Sequence, residues 1–269
     1  IWHGRRHVIQ RPRTVVPALF GAASATPAGT AWLNSLPAGA DIARIAVARR
    51  DEPSSAMPDR RIGTVLMAET GSGPQHYLVL NDGLAPITPL QEAILRAEFP
   101  AEPVSIPVSV ATSAPVSARR PASGDVQPPA TTPRLVTPAG GEALCAVTRD
   151  AATPPAIWVG GQVAGLDTAV PTAGASPDGV PLADRVFVPG GQVATVRAQA
   201  SPLAPAGPYY VITDLGIRYA VPTAAVLETL GYPAEQAVDV PAALVSRLPA
   251  GPTLDPAAAT RPATAGAGG

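Results

Sequence analysis

The clearest folding signal in this chain is the segment Tyr209-Tyr-Val-Ile-Thr-Asp-Leu-Gly-Ile-Arg-Tyr-Ala-Val221. Aromatic and β-branched residues flank a turn at Asp214-Leu-Gly216, and glycine tolerates the positive φ that such turns often require. The segment therefore predicts a β-hairpin. A short helix should follow with Thr223 as its N-cap, and a second short helix should begin near Pro241, because proline is favoured at the first helical position.

This hairpin and its helix occur twice. The segment Tyr77-Leu-Val-Leu-Asn-Asp-Gly83 matches Tyr210 to Gly216 at one constant offset in the numbering. Recurrence of one unit at a fixed offset is typical of repeat proteins, in which each unit has the same local fold. We therefore expect residues 62–107 and 193–255 to share a hairpin-then-helix core, with the two tyrosines and the two glycines superposed.

A third copy is cut short at the beginning of the chain. Ile9 matches Val221, and Leu36-Pro-Ala-Gly39 matches Leu248-Pro-Ala-Gly251, and the numbering offset is the same for both matches. Ile1 then lies inside a repeat, so we expect the chain to be a fragment of a longer protein.

Five segments also carry a resemblance to a known family. They are YLVLNDGLAPITPLQEAIL (77–95), YYVITDLGIRYAVPTAAVLETLGY (209–232), LPAGPTLDP (248–256), WLNSLPAGADI (32–42) and Leu144-Cys145-Ala146. In order and spacing they resemble EccB, the membrane-anchored component of actinobacterial type VII (ESX) secretion systems. The resemblance covers nearly the whole chain except a proline-rich insert and the tail. It implies an α+β protein in which small strand–helix repeat units are arranged around a central β-rich core domain.

The repeats and the composition divide the chain into seven predicted segments. These are the C-terminal part of a truncated repeat (1–42), a core-domain strand and loop (43–61), a repeat unit (62–107), a proline-rich linker (108–138), the central β-rich core (139–192), the C-terminal repeat unit (193–256) and a disordered tail (257–269). Alternating apolar residues predict further strands at 6–9, 42–48 and 62–67 and an edge strand through 104–110. Apolar residues at helical spacing predict helices at 14–20, 30–36 and 88–97.

Composition limits the classes of function. The formal net charge is −1, which supplies no large field for nucleic acid or an anionic membrane surface. Arg5, Arg6, Arg11 and Arg13 form a local basic cluster, but no aromatic platform or glycine-rich loop accompanies it, so solvated faces are the favoured interpretation over a phosphate or nucleic-acid site. All 19 basic residues are arginines, so this chain offers no lysine for a mechanism that requires one.

The chain contains no run of about 18 apolar residues, and the sequence therefore predicts no membrane-spanning helix within it. The resemblance implies a single membrane anchor upstream of Ile1 and an extracytoplasmic location for this part. It also implies association with EccC, EccD and EccE in the inner-membrane secretion complex, and self-association is a further expectation.

The sequence offers no recognisable catalytic site. His3, His7 and His76 are the only histidines. His3 and His7 are four residues apart, which would align them on a helix, but their surroundings predict a strand and no third ligand is near, so no metal is expected. Asp82 and Asp214 fall in hairpin turns, where aspartate is favoured for backbone reasons alone. We therefore predict no catalytic residues and no cofactor.

Two glycine pairs also come after short predicted strands, in Gly160-Gly-Gln-Val163 and Gly190-Gly-Gln-Val193. Such pairs can cradle a phosphate, but neither leads into a recognisable helix, so tight turns or bulges are the favoured interpretation.

A non-catalytic scaffold is the function that the resemblance and the lack of a recognisable catalytic site favour. An ATPase role has been suggested for the family, but the lysine-containing phosphate loop G-x-x-x-x-G-K-[ST] is absent from this chain. A cell-wall-binding module is a third possibility, for which the candidate residues are Tyr209, Tyr210, Tyr219 and Tyr232.

Cys145 is the only cysteine. A lone buried thiol that acts as a small hydrophobic residue is one interpretation. An odd cysteine in an extracytoplasmic protein, however, suggests a missing partner. Mycobacterial-type EccB proteins carry a disulfide, and the resemblance of Leu144-Cys145-Ala146 to one half of it implies a partner cysteine upstream of this chain.

Overall fold

The computed structural model describes residues 1–119, 121, 124, 126–161, 163, 165–204 and 207–260. The helices are α1 (Pro12–Phe20), α2 (Thr30–Ser35), α3 (Pro89–Glu98), α4 (Val108–Ser113), α5 (Ala224–Thr229), α6 (Ala242–Val245) and α7 (Pro256–Ala259), with a 3-10 helix at Ala234–Gln236. The strands are β1 (Val65–Thr70), β2 (Gly73–Leu80), β3 (Gly83–Ile87), β4 (Val104–Ser105), β5 (Leu144–Val147), β6 (Ala156–Val159), β7 (Val170–Pro171), β8 (Arg185–Val186), β9 (Val193–Gln199), β10 (Tyr209–Thr213), β11 (Arg218–Val221) and β12 (Val238–Pro241). The predicted α+β class is confirmed.

The chain divides into two compact units. The first consists of Ile1–Trp2, Arg6–Ala25 and Ala38–Thr137. The second consists of His3–Arg5, Thr26–Pro37 and the described residues between Pro138 and Thr260. The short N-terminal repeat thus contributes α1 to the first unit and α2 to the second.

A four-stranded sheet in the order β3-β2-β1-β4 forms the centre of the first unit. The first three strands are antiparallel, and β4 joins β1 in parallel. Helix α3 follows β3 and begins directly after Thr88, which is its N-cap. The Thr88 side chain accepts a hydrogen bond from the Gln91 backbone N–H, and the Gln91 side chain accepts one from the Thr88 N–H. Leu95 of this helix is buried against the sheet with Leu78.

The second unit contains a sheet with the same connectivity, in the order β11-β10-β9-β12. Here β12 joins β9 in parallel, and the other neighbours are antiparallel. Helix α5 begins after Thr223, whose hydroxyl accepts a hydrogen bond from the Val226 N–H at 3.2 Å. Leu227 of α5 is 0% exposed and packs against Val211 and Val221. The predicted hairpin, N-cap and following helix are confirmed.

Strand register shows how the two repeats superpose. Tyr77 pairs with Leu66 of β1, and Tyr210 pairs with Val196 of β9. Both partners are buried, and each belongs to the strand that also pairs with the parallel strand of its sheet, β4 or β12. The predicted equivalence of Tyr77 and Tyr210 is therefore confirmed.

The predicted equivalence of Gly83 and Gly216 is wrong by one position. Gly83 pairs directly with Leu80 across a two-residue turn, whereas Gly216 lies inside a three-residue turn closed by the hydrogen bond from Thr213 N–H to Ile217 carbonyl. After the turn, the numbering offset between the two repeats is larger by one than the offset that places Tyr77 on Tyr210. Leu84 therefore corresponds to Arg218 rather than to Ile217.

The N-terminal copy is confirmed at its predicted offset. A parallel bridge joins Arg6 to Ala38, and an equivalent bridge joins Arg218 to Ala250. The first residues of α1 and α5 are separated by the same number of residues as Arg6 and Arg218, and so are the first residues of α2 and α6. This copy lacks a sheet of its own, and α1 instead packs against α3 through Val15, Leu19, Leu90 and Ile94.

Two predicted strands are absent. Residues 6–9 make single bridges at Arg6 and Ile9, and residues 42–48 make one at Ile42. In the second case Ile45 packs against Leu78 and Leu95, so the alternating pattern reflects packing onto a sheet rather than strand pairing. The predicted strand through 104–110 ends after Ser105, and α4 occupies 108–113 because Pro107 precedes its first turn.

Candidate interaction surfaces

The two turn aspartates hold neighbouring segments of the chain. Asp82 accepts hydrogen bonds from the Ser117 hydroxyl at 3.0 Å and the Ala118 N–H at 2.9 Å. Asp214 accepts one from the Gly191 N–H at 2.8 Å. Turn preference alone is therefore an incomplete account, since each carboxylate also fastens a second segment to its hairpin.

Gly191 belongs to the second of the two Gly-Gly-Gln-Val segments, so its N–H faces a carboxylate of the same chain. Gly160 and Gly161 of the first segment have φ values of 98° and 81°, a conformation that favours glycine. Both pairs serve as turns next to strands, as the favoured interpretation predicted; Gln162 lies outside the described residues.

Two of the other candidate polar residues, His7 and Arg11, are held by packing and by an ion pair. The His7 ring lies against Gly39, and its Nδ1 is 2.7 Å from the Ala40 carbonyl oxygen. Arg11 of the basic cluster forms an ion pair with Glu98, which also binds Arg44 at 3.2 Å. Within the described part of the chain, no three His, Cys, Asp or Glu side chains are grouped as a metal ion would require.

The four tyrosines considered for glycan binding are half-buried. Tyr210 packs against the core that contains Val196 and lies under the Arg218 guanidinium, 5.4 Å from the ring centroid. Tyr209 and Tyr232 pack around Leu227, and Tyr219 packs against Gly251. These rings contribute to the repeat core, and none forms an open aromatic platform.

A two-stranded sheet of the second unit presents an apolar face. Strands β5 and β6 are antiparallel, and Cys145 pairs with Trp158 while Val147 pairs with Ala156. Because side chains alternate along a strand, these four residues share one face, which we call the Trp158 face. Trp158 is 64% exposed, whereas Cys145 is half-buried. A face of four apolar residues with an exposed tryptophan has the composition of a contact surface.

Charged residues lie at the two ends of β5. Glu142 precedes the strand, and Arg149 and Asp150 follow it. The Thr153 N–H and then the Thr153 hydroxyl hold the pKa of Asp150 below its ordinary value through hydrogen bonds of 2.8 and 2.9 Å. Asp150 therefore stays ionised at neutral pH and orders the loop between β5 and β6.

An ion pair also joins β9 to its parallel neighbour β12. The Arg197 guanidinium donates hydrogen bonds to both carboxylate oxygens of Asp239, at 2.5 and 2.6 Å. These bonds lower the pKa of Asp239 and raise that of Arg197. The fork geometry fixes the register of the edge strand.

Sequence reasoning missed the exposed tryptophan. The segment Ala156–Val159, the short predicted strand before Gly160, is a strand in the structure, but a strand pattern alone leaves open which face is covered. The signal that could have identified the surface is the β5–β6 pairing, which places Trp158 beside Val147 and the lone cysteine.

Comparison with known proteins supports one family. The family described as "Type VII secretion system ESX-1, transport TM domain B" matches residues 1–265. A Mycolicibacterium smegmatis protein named ESX-3 secretion system ATPase EccB3 is 31% identical over 259 residues, covering 90% of this chain and 46% of the relative. The chain thus spans about half the length of that curated relative.

Solved structures show the same fold. The EccB3 dimer from the ESX-3 core complex matches with a TM-score of 0.64 at 24% identity, covering 95% of this chain and 67% of that one. The periplasmic assembly from the ESX-5 inner membrane complex matches with a TM-score of 0.60 at 22% identity, covering 96% and 66%. No described helix of the present chain is both long and apolar enough to cross a bilayer. The repeats and the family match agree: the chain belongs to the EccB family of type VII (ESX) secretion systems.

Proposed function

We propose that this chain is the extracytoplasmic part of a non-catalytic scaffold subunit in a membrane-embedded type VII secretion machine. In this role it contacts EccC, EccD and EccE and further copies of itself, and it is held at the membrane by an anchor outside these residues. The observation that carries the proposal is the family match over residues 1–265, which includes all three repeats.

Two comparisons support the assembly role. One structure with the same fold is a dimer, and another is part of a periplasmic assembly in an inner membrane complex. The fold itself suits a scaffold, because several side-chain carboxylates, among them Asp82, Asp214 and Asp239, fasten separate segments of the chain to each other.

A crosslinking and pull-down survey tests the proposal. The full-length protein is tagged, crosslinked from the extracytoplasmic side and captured from solubilised envelopes. We expect EccC, EccD and EccE among the captured proteins, together with an untagged copy of the bait. Capture of the bait alone at endogenous expression would contradict the scaffold role.

ATP hydrolysis is the second candidate, and the printed name of the M. smegmatis relative favours it. That relative is about twice as long as the matched region, so its activity can depend on residues with no counterpart here. The present chain contains neither a lysine nor a phosphate loop. An ATP-turnover measurement on the full-length protein separates the two candidates.

A further inference from the structure

Arg50 lies on a tight turn in the first unit. The Glu52 N–H closes this turn by donating a hydrogen bond to the Arg49 carbonyl at 3.2 Å. The Asp51 N–H donates another to the Ile62 carbonyl at 2.9 Å, which fastens the turn to the segment that leads into β1. The position of the Arg50 backbone is therefore set both by its own turn and by a second segment of the chain.

Both neighbours of Arg50 have a backbone conformation that is uncommon for residues with a side chain. The φ angle is 58° at Arg49 and 66° at Asp51, in the left-handed region. Strained residues of this kind concentrate at sites where function requires a fixed geometry. The turn thus holds Arg50 in one direction at a cost in backbone strain.

The guanidinium of Arg50 is held by a ring and by a glycine. It lies over the Phe99 ring, 3.7 Å from the ring centroid. It also lies against Gly63, where an added Cβ would come within 2.8 Å of Arg50 Nη1 and 3.1 Å of Cζ. Glycine at position 63 therefore leaves the room that the planar group occupies. Stacking on a ring uses the face of a guanidinium, while its N–H donors lie in the plane and form the hydrogen bonds.

These donors find no acceptor in the described part of the chain. Arg50 forms no ion pair or side-chain hydrogen bond there, and its Nη1 is buried without a hydrogen-bond partner. The carboxylate of nearby Glu52 is instead paired with Arg49 at 2.8 Å. A half-buried cation without an acceptor is unfavourable, because water no longer solvates it fully. The guanidinium therefore has an unfilled capacity to bind an anion.

We propose that Arg50 is a binding site for a carboxylate group. The paired N–H donors of a guanidinium match the two oxygens of one carboxylate. A phosphate fits less well, because Phe99 is the C-cap of α3 and the partial negative charge of a helix C-terminus opposes a dianion. The nearest additional cation along the chain, Arg49, is already paired. The carboxylate comes either from an acidic side chain of another subunit or from a free organic acid.

The same helix end offers a purely structural explanation for Arg50. A cation near a helix C-terminus is favoured by the helix dipole, with or without a ligand. The experiment therefore has to separate binding from stability. The inference also goes beyond the proposed function, since Arg50 would bind a carboxylate whether or not the protein is a scaffold.

Ligand-detected NMR tests the site on the full-length protein in detergent. The probe is N-acetyl-L-glutamate methylamide, which has one carboxylate, and N-acetyl-L-glutamine methylamide is its neutral counterpart. Saturation transferred from the protein to the glutamate probe should exceed the transfer to the glutamine probe. Arg50→Gln should reduce the glutamate signal about fivefold or more, because the charge pair is lost. Arg50→Lys keeps the charge but not the paired donors, so its signal should lie between the two.

Controls separate binding at Arg50 from general effects of charge and from misfolding. Arg134 is an exposed arginine of the same unit, and Arg134→Gln should leave the glutamate signal unchanged. Arg50→Gln should melt within about 2 °C of the wild type, because its guanidinium forms no hydrogen bond or ion pair with the described residues.

The intact secretion complex distinguishes the two sources of the carboxylate. If an acidic side chain of another subunit holds Arg50, the Arg50-dependent probe signal should disappear in the complex. If the site takes a free organic acid, the signal should persist. Both results support a carboxylate site.

Three results would overturn the proposed site. The first is an equal signal from the two probes, and the second is a glutamate signal that Arg50→Gln leaves unchanged. The third is complete loss of the Arg50-dependent signal when inorganic phosphate is added at the concentration of the probe. If Arg50→Gln melts well below the wild type, Arg50→Lys decides instead: a signal equal to that of the wild type would contradict the paired-donor contact.

Discussion

The ring of Tyr219 lies directly against the α-carbon of Gly251, so that a side chain at position 251 would overlap it. The same relationship occurs in the N-terminal copy, where the His7 ring lies against Gly39. In both copies the glycine follows Leu-Pro-Ala, and the alanine directly before it forms a parallel β-bridge. The close approach of a ring to a glycine is therefore a shared feature of these repeats.

This contact predicts a cost for adding one methyl group. Gly251→Ala should lower the free energy of unfolding by about 1–3 kcal/mol, because the new Cβ meets the Tyr219 ring and the Ile217 side chain. Gly190→Ala is the matched control, since its Cβ would have no heavy atom within 4 Å. Urea denaturation of both variants decides the matter, and equal midpoints would contradict the close contact.

Leu227 is the central residue of the C-terminal repeat core. Because its side chain is fully buried, Leu227→Ala should cost about 2–4 kcal/mol. Leu248 is half-buried, so Leu248→Ala should cost less, about 1–2 kcal/mol. Exposed Leu230 serves as control. An order of thermal stability other than Leu227→Ala lowest and Leu230→Ala highest would contradict the packing of α5.

The Arg197–Asp239 pair predicts a pH dependence. Because the folded-state pKa of Asp239 lies below its ordinary value of 3.8, its stabilisation is present above that value and is lost as pH falls through the lowered pKa. Asp239→Asn should therefore cost about 0.5–1 kcal/mol at neutral pH. The difference from wild type should shrink as the pH falls below about 4. A difference in melting temperature between Asp239→Asn and wild type that stays constant over this pH range would refute the role of the pair.

Cys145 carries a prediction about the full-length protein. In the present chain it is free and lies on the Trp158 face. We propose that in the full-length protein it forms a disulfide, as the resemblance implies, and that the attached segment covers part of this face. The closed loop would contribute roughly 4–5 kcal/mol on the chain-entropy model.

Alkylation followed by intact-mass analysis tests the disulfide. Protein isolated from the cell envelope should add no label at Cys145 until a reductant is supplied. Complete labelling of the folded full-length protein without reductant would rule the disulfide out.

Much of the fold follows from the sequence because local signals and the repeat agree. Thr223 acts as the N-cap that its position indicates, and the tyrosine equivalence holds in the strand register. The equivalence of Gly83 and Gly216 fails because the turn between Thr213 and Ile217 is one residue longer than its counterpart, and a constant numbering offset does not allow for that insertion.

The remaining errors arise where the same sequence pattern is compatible with two kinds of structure. Val108 and Val110 alternate like strand residues but lie on a helix that begins after Pro107. The apolar alternation around Ile45 arises because its side chain packs against a sheet, and not because its segment is a strand of that sheet. The exposure of Trp158 depends on what lies over β5 and β6, which is a tertiary property that a strand pattern does not encode.

The central proposal is that this EccB-family protein acts as a scaffold subunit and does not itself hydrolyse ATP. The most direct measurement is ATP turnover by the full-length protein, purified away from EccC and repurified until the specific activity is constant. The scaffold account predicts phosphate release no greater than in a buffer control. Turnover that persists through repurification and disappears with a single substitution in this chain would contradict it.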